Sequence, residues 1–202
     1  MSVEAVAEAE LPTRYGEFRV IGFRAVAGDG EQEVVVLKCG ELGPGAPLVR
    51  IHSQCMTGEI FGSLRCDCGQ QLEMALRMIA ADGNGLLIYD PQEGRGIGIL
   101  NKLKAYQLQD GGADTVEANE QLGFEADQRD YSIATEILRS LGVDRVRFLS
   151  NNPSKVQALE EAGITVEARI PCEPEANDRA AAYLRTKKEK LGHLIGDAAD
   201  TA

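Results

Sequence analysis

The sequence has no long hydrophobic run. Its longest, Val34-Val35-Val36-Leu37 and Leu86-Leu87-Ile88-Tyr89, fall far short of the roughly 20 residues a membrane span requires. The acidic start, MSVEAVAEAE, lacks a basic segment followed by an apolar one, so it does not read as a secretory signal and a cytoplasmic location is expected. Cations are scarce: 21 Lys and Arg against 32 Asp and Glu give a net charge of −11. Such a chain makes a poor general binder of nucleic acid, although a few convergent cations could still hold a small polyanion. Repeats, linkers and low-complexity stretches are missing too. With 202 residues, 44% hydrophobic and 26% charged, the composition excludes a disordered, coiled-coil or collagen-like chain.

Five cysteines are present, Cys39, Cys55, Cys66, Cys68 and Cys172. An odd number in a reducing compartment argues against a disulfide framework. Cys39 and Cys172 stand alone, in contexts resembling a strand end and a loop, and read as unreactive thiols.

Periodicity predicts an α/β fold, a three-layer α/β/α arrangement with a mixed, largely parallel sheet and an N-terminal antiparallel strand region. Strands are expected at 18–23, 33–38, 48–52, 86–89, 146–150 and 164–170. Helical spacing of Leu72, Ala75, Leu76 and Ile79 predicts a helix stopped by Gly83. Ile99, Leu100 and Leu103 mark the apolar face of a helix ending before Gly111, and Ile133 to Leu141 a helix closed by Gly142. Asn152-Pro153 supplies an N-cap and a first-turn proline for another, and 179–191 reads as the last. The whole chain, 1–202, is expected to form a single domain, with an ordered core over about 11–194 and frayed termini.

Three groups of residues carry chemistry. The first is His52-Ser-Gln-Cys55 followed by Cys66-Asp-Cys68. Three thiolates suit a zinc site with one open position, where bound zinc lowers the pKa of a water. A closed structural site, with His52 or His193 as fourth ligand, weighs equally on spacing alone. The second is Tyr89-Asp-Pro-Gln-Glu-Gly-Arg95-Gly-Ile-Gly98, a glycine-rich turn between a strand and a helix. Such turns point backbone N–H groups at an anion, but the glycines could equally serve only the turn. Arg50, Arg65, Arg129 and Lys155 also fall at strand ends, the edge where open α/β sheets bind ligands. The third is Asp127-Gln-Arg129-Asp130 before a helix: it could equally be an ordinary acidic helix start, but in an extended segment Asp127 and Arg129 would face one side, letting a base and a phosphate-directed group share a pocket.

These motifs together resemble the GTP cyclohydrolase II family. The resemblance lies in Arg50-Ile-His-Ser-Gln-Cys55-Met-Thr-Gly58, Gly62-Ser-Leu-Arg-Cys66-Asp-Cys68-Gly69, Gln92-Glu-Gly-Arg95-Gly-Ile-Gly98 and Ser150-Asn-Asn-Pro153, and it runs from about Leu11 to Leu194. It implies the first committed step of riboflavin synthesis: GTP is hydrolysed to a 2,5-diamino-6-ribosylamino-pyrimidinone 5′-phosphate, formate and pyrophosphate. It implies one zinc per subunit on Cys55, Cys66 and Cys68, whose water attacks C8 of guanine, and magnesium at the triphosphate. GTP would be contacted by Arg50, Ile51, His52, Ser53, Gln54, Gln71, Glu93, Gly94, Arg95, Thr115, Ser150 and Lys155. Asp127 would be the proton acceptor, Arg129 the family's proposed nucleophile on the α-phosphate, and Tyr106 an essential residue near the opening ring. Because arginine stays protonated in proteins, a phosphate clamp is the more conservative role for Arg129.

Three positions depart from the family pattern. Gln54 stands where Glu is more frequent, so an acid–base role there is in doubt. Ser150 replaces Thr and keeps the hydroxyl, and Met56 replaces Leu at nearly equal volume. The resemblance further implies a stand-alone cyclohydrolase and a homodimer; from the residues themselves, 183–194 could contribute an apolar seam. The rivals are a variant that opens the imidazole but keeps the formyl group, and a non-catalytic module binding zinc or GTP.

Overall fold

The computed structural model describes residues 1–27, 30–43, 45–174, 181–196 and 200–201. One mixed sheet of eight strands runs in the order β1-β2-β3-β5-β4-β6-β7-β8. In chain order the strands are β1 (Ser2–Thr13), β2 (Gly16–Ala27), β3 (Gly30–Cys39), β4 (Leu48–Ser53), β5 (Gly85–Asp90), β6 (Arg145–Leu149), β7 (Thr165–Ile170) and β8 (Asp200–Thr201). The helices are α1 (Met56–Glu59), α2 (Cys68–Asp82), α3 (Gly98–Asp110), α4 (Thr115–Gln121), α5 (Ser132–Ser140), α6 (Pro153–Glu161) and α7 (Ala181–Leu191), with a 3₁₀ turn at Glu93–Gly96. Strands β5, β4, β6 and β7 are parallel, whereas β1, β2 and β3 form an antiparallel meander joined to β5.

Alternation along the strands divides the core in two. Val49, Ile51, Leu86, Ile88 and Phe148 face one side, where Ile137 and Leu138 of α5 and Leu159 of α6 cover them. Their neighbours Leu48, Leu87 and Leu149 face the other side, under Ala75, Leu76 and Ile79 of α2. Period-two strands buried on both faces and period-3.6 helices over each face produce three layers.

Several expected signals do what their chemistry dictates. Asn152 caps α6 by accepting from the Ser154 N–H at 3.0 Å, with Pro153 in the first turn. Gly83 ends α2 at φ +74°, a conformation that suits a residue without Cβ.

Two expectations change. The decade before Leu11 is not frayed: it is the first part of β1, paired along β2 from Ser2 opposite Val26, with a bulge between Ala5 and Ala7. Its Ala and Glu content hid a strand that the hairpin partner specifies. On α3, Leu100 and Leu103 are exposed and Ala105 is buried. The helix turns Lys102, Ala105, Tyr106 and Gln109, at spacings of three and four, into a cavity. The start of the expected last helix, 179–180, lies outside the described residues.

Candidate active site

The parallel strands β4, β5 and β6 end side by side, and the segments leaving their carboxyl ends build the site. Residues after β4 supply Gln54 and Cys55, the turn after β5 supplies Glu93 to Arg95, and the bend after β6 supplies Ser150 to Asn152.

The three cysteines come together. Their sulfurs lie within 4.8 Å of one another, with Cys55 and Cys66 3.6 Å apart. Gly58 explains how: a Cβ there would stand 2.9 Å from the Cys66 sulfur and 3.3 Å from that of Cys55. The turn of α1 therefore folds directly over the sulfurs, a soft donor set that fits zinc. Neither histidine joins them among the described residues. His52 is buried with both ring nitrogens engaged: Nδ1 accepts from Arg50 Nε at 3.3 Å, and Nε2 meets Glu59 Oε1 at 2.9 Å. His193 lines a neighbouring cavity that Cys68 also borders. Hydrogen bonds from the other two thiols, together with Lys102 and against burial, hold Cys55 far below the ordinary thiol range. Those same bonds push Cys66 up to about 11 and Cys68 up as well.

Glu59 is an anchor that sequence reasoning missed. Its carboxylate accepts from the Cys55 backbone N–H at 2.7 Å and from the Tyr89 hydroxyl at 2.5 Å, in addition to its contact with His52. A chain of bonds runs on from His52. Arg50 donates to Gln71 at 2.8 Å, Gln71 donates to Asp67 at 2.6 Å, and Lys187 donates to the other Asp67 oxygen at 2.7 Å. Burial pulls the His52 imidazole down to about 4, outweighing the opposing Glu59 bond, so it is neutral near pH 7.

The glycine–arginine turn holds strained backbone. Gly94 (φ +63°) and Arg95 (φ +61°) are both left-handed, and Arg95 is the non-glycine residue with positive φ among those described. Such a residue costs about 1–2 kcal/mol and persists where its surroundings fix it. Here the Gln128 N–H donates to the Arg95 carbonyl at 3.1 Å, and the Arg95 guanidinium reaches the Ala126 carbonyl at 3.4 Å. Glu93 accepts from the Met56 N–H at 2.7 Å, tying the turn to the cysteine segment.

Two cavities meet here. One, of about 670 Å³ and open to solvent, is lined by Cys55, Cys66, Cys68, Gln54, Glu93, Gly94, Lys102, Tyr106 and Thr115. The second, about 590 Å³, holds Arg50, His52, Gln71, Ser150, Lys155 and Lys187. Ser53, Cys68, Arg95 and Arg129 line both. Lys155 is buried and donates to the Ile51 carbonyl at 2.8 Å; burial, then Arg129 and Arg50, pull its pKa well below that of an ordinary lysine. Ile51 places its side chain in the core, so only its backbone faces the site. Tyr106 meets the Thr57 hydroxyl at 3.2 Å, and the Arg65 guanidinium lies 4.7 Å from its ring centroid. Asp127 reaches the cavities through Arg129: Nε donates to Oδ1 at 2.8 Å and Nη2 to Oδ2 at 2.5 Å. Burial would raise that carboxyl, but the guanidinium holds it below its usual value.

Comparison with known proteins decides the family. The family model described as GTP cyclohydrolase II matches residues 4–171. The chain belongs to the GTP cyclohydrolase II family. It is 55% identical to the GTP cyclohydrolase-2 of Azotobacter vinelandii over 97% of this chain and 94% of that one. Identity to the GTP cyclohydrolase-2 of Pseudomonas aeruginosa (strain LESB58) is 54%, over 97% and 95%. The riboflavin biosynthesis protein RibBA of Chlorobium phaeovibrioides is 52% identical over 96% of this chain, which spans 47% of that protein. The chain is thus a hydrolase of GTP in riboflavin biosynthesis, and its cysteine cluster is a possible metal site. No helix among the described residues is long and apolar enough to cross a membrane.

Proposed function

We propose that the chain carries out the full three-product reaction. The guanine imidazole opens at C8, formate and pyrophosphate leave, and 2,5-diamino-6-(5-phosphoribosylamino)pyrimidin-4(3H)-one remains. The observation that carries this reading is the junction of the two cavities. A soft, three-sulfur compartment adjoins a cationic one, and Arg95 and Arg129 line both. A nucleotide laid across them would set its base against the cysteines and its phosphates among Arg50, Arg129 and Lys155.

Cys55, Cys66 and Cys68 would hold one zinc, which when bound supplies Lewis acidity and a water of lowered pKa. Gln54, Glu93, the Gly94–Arg95 backbone and Thr115, which line the cysteine cavity, would orient the base, and Gln71 and Ser150, which line the second cavity, would meet the phosphates. Asp127, held ionised by Arg129, is the proton acceptor at its carboxylate oxygens. Arg129, whose Nε and Nη2 donate to Asp127, serves as a clamp that neutralises phosphate charge. Lys155 is desolvated in advance, so an arriving phosphate favours its charged form. The Tyr106 hydroxyl meets Thr57, whose own hydroxyl is 3.7 Å from the Cys55 sulfur, and would hold a proton during loss of the one-carbon fragment. Magnesium would share the triphosphate with these cations.

A homodimer in the cytoplasm completes the reading. Ile60, Phe61, Leu64, Leu100 and Leu103 are exposed and offer apolar area for a second copy. The seam expected at 183–194 begins at a side chain outside those described.

Incubation with GTP, zinc and magnesium, followed by formate and pyrophosphate assays and a product mass spectrum, tests the chemistry. Equimolar formate and pyrophosphate are expected. Pyrophosphate with a product still bearing the formyl mass would overturn the three-product reading.

A further inference from the structure

Lys102 is absent from every motif considered above, yet it stands at the mouth of the cysteine site. Its Nζ donates to the Cys55 sulfur at 3.1 Å and to Glu93 Oε1 at 2.7 Å, and its side chain is only 12% exposed. The side chain's course is built in. A Cβ on Gly94 would come within 3.1 Å of the Lys102 Cβ, so the glycine leaves room for the lysine stem. Glu93, in turn, is fixed by the backbone N–H groups of Met56 and Gly94. Tyr106 follows one helical turn later, with its ring centroid 5.8 Å from the ammonium.

We propose that Lys102 is a positioning residue of the metal site, binding the Cys55 sulfur and offsetting the negative charge that three thiolates place around a divalent ion. The inference rests on the zinc reading of the cysteine cluster. A divalent ion with three thiolates carries a net negative charge, and burying net charge is costly unless it is paired. An ammonium against one sulfur supplies the opposite charge. It also draws electron density from that donor, leaving the ion a stronger Lewis acid. The Glu93 contact holds the ammonium in place and connects the turn expected to meet GTP with the ligand Cys55. Among the three sulfurs the lysine selects one, so the site is electronically asymmetric.

The experiment uses the full chain with Lys102→Met, which keeps the stem and removes the charge, and Lys102→Arg, which keeps the charge. Zinc affinity is measured by chelator competition, and the cobalt-substituted proteins by their sulfur-to-metal charge-transfer absorption. For Lys102→Met the expected result is zinc affinity lower by about 10–100-fold, the range typical of lost outer partners of a ligand. Its charge-transfer band shifts, and kcat falls while KM for GTP stays close to wild type. Lys102→Arg restores most of each. Wild-type affinity and an unshifted band in Lys102→Met overturn the inference, even with a lower melting temperature, and reduce Lys102 to a partner of Glu93. If Lys102→Met does not fold, Lys102→Gln is read by the same criteria. A wild-type chain that takes up no zinc overturns the zinc reading and this inference together.

Discussion

Arg129 and Asp127 are joined as a two-point fork, Nε to Oδ1 at 2.8 Å and Nη2 to Oδ2 at 2.5 Å, and Arg129 in turn lines both cavities. The pair makes the base and the clamp one unit. In Arg129→Met the carboxyl loses its guanidinium while burial remains, so its pKa rises. The acidic limb of the kcat/KM profile should therefore move to higher pH. An unmoved limb would show that Asp127 is not the titrating base. Asp127→Asn should lose activity across all pH values, by about 10²–10⁴-fold for a lost acid–base group.

Gly58 sets the shape of the cysteine site. Gly58→Ala places a methyl 2.9 Å from the Cys66 sulfur. Overpacking of this kind costs about 1–3 kcal/mol. The expected outcome is a folded protein with reduced zinc content, measured by elemental analysis. Full zinc occupancy in Gly58→Ala would place the metal elsewhere.

Glu59 holds His52, Tyr89 and the Cys55 backbone at once. Glu59→Ala leaves these buried donors without their acceptor, each worth about 1–3 kcal/mol. A large loss of denaturation midpoint is expected. Glu59→Gln, which keeps one acceptor, should lose less. Equal losses would mean that the bonds contribute nothing beyond packing.

His52 also makes the fold sensitive to acid. The folded imidazole binds a proton only near pH 4, whereas the unfolded one binds near 6.5. Between those values the unfolded chain holds more protons, so stability falls as pH drops through that window, by about 3 kcal/mol when complete. Above pH 6.5 the contribution is constant. Urea midpoints from pH 7.5 to 4.5 check this, and His52→Gln should flatten the slope. A slope unchanged in that variant would assign the acid sensitivity to other groups.

Much of this was legible in the sequence because local chemistry and tertiary role coincide. The cysteine spacing, the Gly94–Arg95 turn and the Asn152-Pro153 cap each announce themselves. Helix α4 was readable but unread. Asp114 and Glu117 form a reciprocal capping box, the D-x-x-E signal that opens a helix. Lys102 and Glu59 were not legible, because a lone Lys on a helix or a Glu after a glycine looks like an ordinary surface charge. Only the fold brings them to Cys55. Leu100 and Leu103 misled for the opposite reason: α3 gives its inward face to the cavity and leaves its leucines outside. Strand β1 alternates Val3, Ala5, Ala7, Ala9 and Leu11 with Glu4, Glu8 and Glu10, but alanine and glutamate have little strand preference, so it depends on pairing with β2.

The most direct test of the central claim joins metal content to product in one preparation. Wild type and Cys66→Ser are purified, zinc per chain is counted, and formate released from GTP is measured. Near one zinc and full formate release in wild type, with both lost in a Cys66→Ser chain that keeps its fold, is the predicted result. Undiminished formate release from a Cys66→Ser chain that carries no zinc would contradict it.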